Sequence, residues 1–200
     1  MESFARPAGN VTGFSLIEPS VIGKLLEMLK KFAPGISRVG MVYNPDNPIA
    51  ATYVRSFEAI ATQFSVQPVS LPIHNLTDVE RSIASLASQP NAGVLFPPDL
   101  TIVPIRTEIS ALLVRHRIPG IFTYSIFAAA GGLASYGADI LAMFRSSAAY
   151  VDRILRGEKP AELPIQLPTV YRFVINLRTA KSLGLELHPQ LLATADEVIE

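Results

Sequence analysis

The chain of 200 residues contains no cysteine. This absence excludes a disulfide framework, a thiol nucleophile and any zinc site built on thiolates. It is compatible with both reducing and oxidising compartments, so it does not locate the protein. Hydrophobic residues make up 49% of the chain, which is enough to bury a sizeable core in one domain or two small ones.

Charge is also scarce. Charged residues make up 17% of the sequence, compared with about 25% in typical globular proteins. Lysine plus arginine and aspartate plus glutamate both number 17, so the formal net charge is zero. A balanced chain without a basic stripe argues against nucleic acid as a partner.

Long hydrophobic runs are missing as well. No run approaches the roughly 20 apolar residues that span a bilayer. The first residues, MESFARPAGNVTGF, lack the apolar core of a signal peptide. We therefore expect no export signal on the chain as given.

Catalytic and cofactor motifs are absent too. The sequence has no G-x-S-x-G elbow, no H-E-x-x-H pair, and neither of the glycine-rich phosphate motifs. The three histidines, His74, His116 and His188, are predicted to be surface or capping residues. The basic triplet at 115–117 is predicted at a helix C-terminus, where positive charge is favoured without a bound phosphate. The sequence thus predicts no catalytic residue, no metal site and no cofactor.

The most informative stretch is SRVGMVYNPDNP at residues 37–48. A short apolar run at 39–43 is followed directly by turn residues, which is typical of a strand buried on both faces. Asn47 is a suitable N-cap and Pro48 suits a first helical position, so a helix is predicted to follow at once.

The same alternation of strand and helix continues to residue 130. Further strands are predicted at 66–71, 93–96 and 119–124, and residues 77–80 (TDVE) match a helix capping box formed by Thr77 and Glu80. Later extended segments are predicted at 133–137 and 170–175, with Asp139 and Asn176 as helix caps. The pattern predicts an α/β fold, with a parallel sheet and helices on both of its faces.

Three polar loops follow strands of this sheet, at 44–47, 98–101 and 123–125. In a parallel sheet they lie at the same edge, where ligands of open α/β folds bind. Their amide, carboxylate, hydroxyl and aromatic groups suit a small polar ligand. The alternative, that Asn47 and Asp99 serve only as helix caps, stays open for each residue alone.

Several segments together resemble the substrate-binding proteins of ABC importers, in the group associated with tryptophan or tyrosine uptake. The resemblance covers essentially the whole chain, and RILRGEKPAELP and VINLRTAKSLGL are its most specific blocks. It rests on ARPAGNVTGFSL at 5–16, VGMVYNPDNP at 39–48, FPPDLT at 96–101, IPG at 118–120, AAGGLASYGAD at 129–139, AAYVDRILRGEKPAELPIQLPT at 148–169 and FVINLRTAKSLGLELHPQLLATADEVIE at 173–200.

The resemblance implies a fold like that of type I periplasmic binding proteins, in which two lobes close over a solute. On this basis residues 1–13 are a hinge lead-in and 14–130 the second ligand-binding lobe. Residues 131–200 are a hinge crossover and a C-terminal segment associated with the first lobe. Most of that lobe, like the family's export signal, has no counterpart here, so we expect a truncated chain.

The resemblance also implies roles for individual residues. Asn44 and Asn47 would bind a ligand carboxylate or amine, while Asp99 would pair with a ligand ammonium, supported by Thr101. The aromatic candidates at the site or hinge are Tyr43, Tyr124 and Tyr136. Where aromatic-amino-acid binders tend to read Asn-Ser, this chain reads Asn47-Pro48, which removes a hydroxyl and an N–H donor.

The implied function is non-catalytic capture of a small amino-acid-like or related polar solute for an ABC importer permease. The implied location is periplasmic or otherwise extracytoplasmic. The alternative is the effector-binding domain of a transcription regulator with the same fold. An enzyme of flavodoxin-like or Rossmann type is disfavoured by the missing phosphate motifs. Because the helix at 139–157 has a strong apolar face, we also expect the chain to self-associate.

Overall fold

The structure, a computed structural model, describes residues 3–200. The first two residues of the predicted lead-in at 1–13 lie outside this range. The described residues form two compact units. The larger unit comprises Pro19–Gly137 and Arg172–Glu200, and the smaller comprises the chain up to Glu18 together with Ala138–Tyr171. None of the described helices is long and apolar enough to cross a membrane.

Seven strands form one sheet in the order β2-β1-β3-β4-β5-β6-β7. The pairs β1–β2, β1–β3, β3–β4, β4–β5 and β6–β7 are parallel. The strand bounds are Arg38–Tyr43 (β1), Gln67–Pro72 (β2), Ala92–Phe96 (β3), Gly120–Phe122 (β4), Ala134–Ala138 (β5), Tyr171–Asn176 (β6) and Glu197–Ile199 (β7).

Eight α-helices and three short 3-10 helices are described. The α-helices are Val21–Phe32 (α1), Ala50–Ala61 (α2), Leu76–Ala87 (α3), Arg106–Arg115 (α4), Ser125–Ala129 (α5), Ile140–Leu155 (α6), Leu177–Ser182 (α7) and Pro189–Leu192 (α8). The 3-10 helices are Thr62–Phe64, Leu100–Ile105 and Pro160–Glu162. Asp139 and Asn176 cap α6 and α7 as predicted, each accepting a backbone N–H three residues ahead.

The central strands β1, β3 and β4 are buried on both faces. Their alternate side chains point to opposite sides of the sheet, and helices cover both sides. On one face, Val39 and Met41 join a core with Leu25 of α1 and Tyr53 of α2. On the other face, Phe96, Phe122 and Phe127 form a continuous stack, with ring centroids 4.4 and 4.5 Å apart. The predicted α/β fold with helices on both faces is confirmed.

Two predicted helix starts are wrong. Helix α2 begins at Ala50 with Ile49 in the cap position, so Asn47 is not its N-cap. The Asn47 side chain accepts the N–H of Ile49 instead, at 3.2 Å, which makes a local turn before the helix.

Helix α3 begins one residue before Thr77, and its cap is Asn75. The Asn75 side chain accepts the N–H of Asp78 at 3.0 Å. The Asp78 carboxylate reaches back to accept the N–H of His74 at 3.0 Å. This reciprocal arrangement satisfies two backbone donors at the helix start, as a capping box does. The predicted box of Thr77 and Glu80 is therefore wrong by two residues.

Gly137, in β5, lies directly against the backbone that follows β4. An ideal Cβ at this position would be 2.0 Å from the carbonyl oxygen of Thr123 and 2.9 Å from its carbonyl carbon. Both atoms belong to the backbone, so no side-chain rotation can relieve the overlap. Only glycine fits here without moving one of the two segments.

We expect Asn75→Ala to lower the free energy of unfolding by about 1 kcal/mol, because it removes the side-chain acceptor for an orphan N–H. Thr77→Ala, in the same exposed turn, is the matched control and should change stability little. Urea unfolding followed by circular dichroism measures both. A larger cost for Thr77→Ala than for Asn75→Ala would contradict the observed cap.

We expect Gly137→Ala to destabilise the fold by about 1–3 kcal/mol, the usual cost of overpacking. The control is Gly23→Ala in α1, where the nearest atom to an added Cβ is a flexible side-chain carbon at 3.6 Å. That substitution should stabilise the chain by about 0.5–1 kcal/mol, because alanine favours a helix interior over glycine. Equal stabilities of the two variants would refute the close approach at Gly137.

Candidate functional site

The candidate site lies at the carboxyl ends of three neighbouring strands. Strands β1, β3 and β4 are adjacent and parallel, so their C-terminal loops meet at one edge of the sheet. Residues 44–47 follow β1, 97–101 follow β3 and 123–125 follow β4. The predicted convergence of three polar loops is thereby explained by topology.

Asp99 is the central group of this edge. It is only 3% exposed, and its two carboxylate oxygens accept three hydrogen bonds. The backbone N–H and the hydroxyl of Thr101 donate to Oδ1, at 2.9 and 2.7 Å. The backbone N–H of Asn44 donates to Oδ2 at 3.2 Å. The carboxylate therefore ties the loop after β1 to the loop after β3.

Asp99 also caps the 3-10 helix at Leu100–Ile105 through its bond to the Thr101 N–H. Capping thus accounts for one of its bonds but not for the contact with Asn44. None of the ion pairs of the described residues involves Asp99. A buried carboxylate with hydrogen bonds but without a cation is an unusual arrangement.

The asparagines of the first loop are held in place by their own side chains. Asn44 Oδ1 accepts the N–H of Asp46 at 2.9 Å, and Asn47 Oδ1 accepts that of Ile49 at 3.2 Å. The backbone carbonyl of Asn44 accepts the N–H of Asn47 at 3.1 Å. These local bonds make a compact turn in which both half-buried asparagines have a fixed direction.

Tyr124 follows β4 and is only 8% exposed. Burial above all, together with the neighbouring Tyr53 and Asp99, raises the pKa of its phenol to about 12. Charge on the phenolate would be disfavoured both by poor solvation and by a nearby carboxylate. Tyr124 is thus a neutral, buried phenol close to Asp99.

The other two predicted aromatic residues make different contacts. The Tyr43 hydroxyl lies 2.9 Å from that of Ser70 in β2. The Tyr136 ring lies edge-on to Phe173, with centroids 6.4 Å apart, and Lys24 Nζ is 5.9 Å from its centre. The structure brings together Asn44, Asp99, Thr101 and Tyr124 by these contacts, whereas a ligand role for Tyr43, Asn47 and Tyr136 stays a prediction.

Sequence reasoning missed two buried polar groups. Tyr53 in α2 is 1% exposed and electrostatically coupled to Tyr124. Its spacing of four residues from Phe57, on the apolar face of α2, is a signal that could have found it. Ser135 in β5 is fully buried, and its hydroxyl has no hydrogen-bond partner among the described residues. No motif marks that serine.

The histidines occupy the kinds of position predicted for them. His116 is the C-cap of α4, and His188 Nδ1 accepts the N–H of Gln190 at the start of α8. His74 is exposed and lies 3.2 Å from Asp46. In the described part of the chain, no three His, Cys, Asp or Glu side chains cluster as a metal site would require.

We expect one of the six tyrosines to ionise late, with a midpoint near pH 12, and Tyr124→Phe to abolish that step. The folded pKa lies above the ordinary value of 10, so the corresponding stability is complete below pH 10 and is lost as the pH rises towards 12. Over that interval the wild type should lose up to about 1.4 kcal/mol per pH unit relative to Tyr124→Phe.

Ultraviolet absorbance of tyrosinate measures the titration, and urea unfolding at several alkaline pH values measures the stability. Tyr43→Phe is the matched control and should keep the late step. The assignment would fail if Tyr124→Phe also kept it.

Comparison with known proteins adds independent information. The family model for ABC transporter substrate binding proteins matches residues 1–199. The tyrosine-binding protein of Clostridioides difficile (strain R20291) is 26% identical over 187 residues, which is 93% of this chain and 53% of that protein. The chain therefore spans about half the length of this curated relative.

Solved structures show the same fold. The ABC domain from Streptococcus pneumonia in complex with L-Trp superposes with a TM-score of 0.87 at 23% identity, over 99% of this chain and 68% of that one. A LacI family transcriptional regulator from Bifidobacterium animalis subsp. lactis is more distant, with a TM-score of 0.61 at 15% identity, over 80% of this chain and 61% of that one.

The family match extends over nearly every residue, and it agrees with the resemblance carried by the sequence blocks. It also confirms the prediction of a binding protein in place of an enzyme, since the family consists of substrate-binding components. The chain belongs to the family of ABC transporter substrate-binding proteins.

Proposed function

We propose that this chain is a solute-binding module of an ABC import system and that its solute is a small molecule carrying an ammonium group. The observation that carries this proposal is Asp99, a buried carboxylate at the carboxyl edge of a parallel sheet that has no ion-pair partner among residues 3–200. An incoming ammonium would supply the missing cation.

The acceptor capacity of Asp99 supports this assignment. A carboxylate offers about four lone-pair sites, and three of them are used by Thr101 and Asn44. Within the part of the chain that the structure describes, one site therefore stays open, on the oxygen that accepts from Asn44. The bonds to Thr101 fix the carboxylate plane, so the open site has a defined direction.

The remaining groups of the edge suit the rest of an amino-acid-like solute. Asn44 and Asn47 use their Oδ1 oxygens within the loop, so their Nδ2 groups are oriented to donate to a ligand carboxylate. Tyr124 offers a neutral phenol and an aromatic edge. Tyr43 and Tyr136 are proposed as more peripheral members of the same site.

The relatives favour an aromatic amino acid within this class, because one is named as a tyrosine-binding protein and another was solved with L-Trp. Pro48 differs from the serine expected in such binders and cannot donate a backbone hydrogen bond. We therefore propose an amino-acid-like solute in which Asp99 recognises the ammonium. Other contacts of the site would determine which side chain of the solute is preferred.

We further propose that the larger unit corresponds to the second lobe of the family, with bounds revised to Pro19–Gly137 and Arg172–Glu200. The smaller unit would then be associated with a first lobe supplied from outside this chain. In the family context the partner is an ABC importer permease, and the place of action is extracytoplasmic. The regulator alternative is supported only by a distant likeness in fold.

Self-association of the 200-residue chain is also proposed. Helix α6, in the smaller unit, has no buried residue, although most of its side chains are apolar. Exposed apolar surface on this scale favours association with a second polypeptide.

We expect millimolar L-tryptophan or L-tyrosine to shift the backbone amide resonances of residues 44–47, 97–101 and 123–125 in NMR spectra of the labelled chain. Binding to the site on this one lobe should be weak, because a ligand that is contacted from one side only buries little surface. N-acetyl-L-tryptophan, which lacks the ammonium, should cause much smaller shifts at the same concentration.

Asp99→Asn should weaken the binding by about tenfold or more, the usual cost of losing a charged hydrogen bond. Asp46→Asn is the matched control, because Asp46 is an exposed carboxylate in the neighbouring loop that lies 3.2 Å from His74. Equal binding of the N-acetylated compound, or equal losses in the two variants, would contradict the role of Asp99.

A further inference from the structure

Two exposed aliphatic side chains lie in the loops of the candidate site, and neither takes part in the contacts described above. Leu100 is 67% exposed and directly follows Asp99 in the chain. Ile126 is 43% exposed and lies two residues after Tyr124. The two residues follow the neighbouring strands β3 and β4, which pair in parallel. We call Leu100 and Ile126 the apolar pair.

The larger unit buries most of its other large apolar side chains. Among its described residues, one further large apolar side chain is exposed, that of Val198 at 37%. Val198 is in β7, which strands β5 and β6 separate from β4. The exposed apolar surface of this unit is therefore concentrated at the sheet edge that carries Asp99. Apolar surface gathered beside polar groups is typical of a ligand-binding surface.

Local helix geometry accounts for the exposure of the apolar pair. The 3-10 helix that starts at Leu100 packs into the core through Ile102, which is 2% exposed. At three residues per turn, Leu100 lies about 120° around the helix axis from Ile102. In α5, Phe127 is 1% exposed and joins the aromatic stack, and Ile126 lies about 100° away from it. Each helix thus contributes another residue to the core.

The stereochemistry of the proposed solute brings its side chain close to Leu100. In an α-amino acid, the ammonium nitrogen and the side chain are bonded to the same carbon atom. A solute that pairs its ammonium with Asp99 therefore carries its side chain close to that carboxylate. Consecutive Cα atoms are about 3.8 Å apart, so Leu100 starts within reach of that side chain.

Ile126 approaches the same carboxylate from the loop after β4. The phenol of Tyr124 is electrostatically coupled to Asp99. Ile126 is two residues further along the chain, so its Cα is at most about 7 Å from that of Tyr124. The apolar pair therefore reaches the surroundings of Asp99 from two different loops.

We propose that Leu100 and Ile126 form the subsite for the side chain of the solute and select an apolar one, aliphatic or aromatic. The inference rests on the proposed function, because it takes the contact between Asp99 and the ammonium as given. Small-molecule sites commonly combine an apolar lining with a few polar groups that fix the orientation of the ligand. Here Asp99 fixes the ammonium, and the apolar pair selects the side chain.

Desolvation gives this selection its direction. An apolar side chain that covers Leu100 and Ile126 also removes water from the vicinity of Asp99, which strengthens the hydrogen bond to the ammonium. A polar side chain of the same size would lose its hydrogen bonds to water without gaining partners from leucine and isoleucine. The subsite thus disfavours polar solutes of equal shape.

The size of the apolar pair favours a small molecule as its occupant. A standard protein–protein interface buries about 800 Å² on each partner. Two aliphatic side chains beside one buried charge fall far below that size, whereas they match a single side chain of a solute. The pair is therefore assigned to the solute and not to a protein partner.

Two solutes of nearly the same shape test the subsite. L-Asparagine carries a polar amide where L-leucine carries two methyl groups. We expect L-leucine to bind the chain at least about tenfold more tightly, because each buried carbon group adds about a factor of four. Titrations followed by the amide resonances of residues 97–101 and 123–125 give both dissociation constants.

Substitutions assign the preference to the apolar pair. Leu100→Asn and Ile126→Asn should each reduce the preference for L-leucine to about threefold or less, mainly by weakening its binding. Val198→Asn is the matched control, because it places the same side chain at an exposed apolar position outside the site and should leave the preference unchanged. Circular dichroism checks that the three variants fold.

A second measurement needs no substitution. In the wild-type chain, the ring protons of bound L-phenylalanine should show intermolecular NOEs to the methyl groups of Leu100 and Ile126, and none to those of Val198. Absence of these NOEs from Leu100 and Ile126 in the presence of bound L-phenylalanine would overturn the subsite.

The outcomes separate this inference from the proposed function. Equal affinities for L-leucine and L-asparagine, both reduced by Asp99→Asn, would overturn the apolar subsite alone. A preference for L-leucine that survives Leu100→Asn and Ile126→Asn would also overturn it. If neither solute binds, or if Asp99→Asn weakens neither, the proposed function fails together with the inference.

Discussion

The carboxylate of Asp99 is the interaction on which the candidate site depends. Parallel strands bring the loops after β1 and β3 to one edge, but adjacency alone does not fix their conformations. Asp99 does so by accepting the N–H of Asn44 from one loop and both donors of Thr101 from its own. Among the described residues, the same carboxylate that orders the loops is buried without an ion-pair partner.

The sequence alone was sufficient for the fold and for the convergence of three polar loops at one edge of the sheet. Short apolar runs ended by turn residues indicated the buried strands, and apolar residues repeating about every 3.6 positions indicated the helices. The order of strands and helices along the chain could therefore be predicted. Helix starts were less predictable because several residues near α3 can cap. Asn75 caps the helix since Asp78 can reach back to the N–H of His74, a reciprocity that residue type alone does not reveal.

The aromatic residues show a second limit. Tyr43 ends β1 and Tyr136 lies in the middle of β5. The contacts of Tyr43 are with Ser70, and those of Tyr136 are with Phe173 and Lys24. Side-chain direction in a strand follows the pleat, and partners come from neighbouring strands distant in sequence. Tyr53 was missed for the same reason, since its proximity to Tyr124 is a tertiary contact.

The close approach of Gly137 to Thr123 also bears on the site. Gly137 is the last residue of the larger unit before the chain passes into the smaller one, and Thr123 immediately precedes Tyr124. Any side chain at position 137 would therefore displace the backbone just before Tyr124, since no side-chain rotation can relieve the overlap. The placement of the Tyr124 phenol thus depends on a missing side chain in the neighbouring strand.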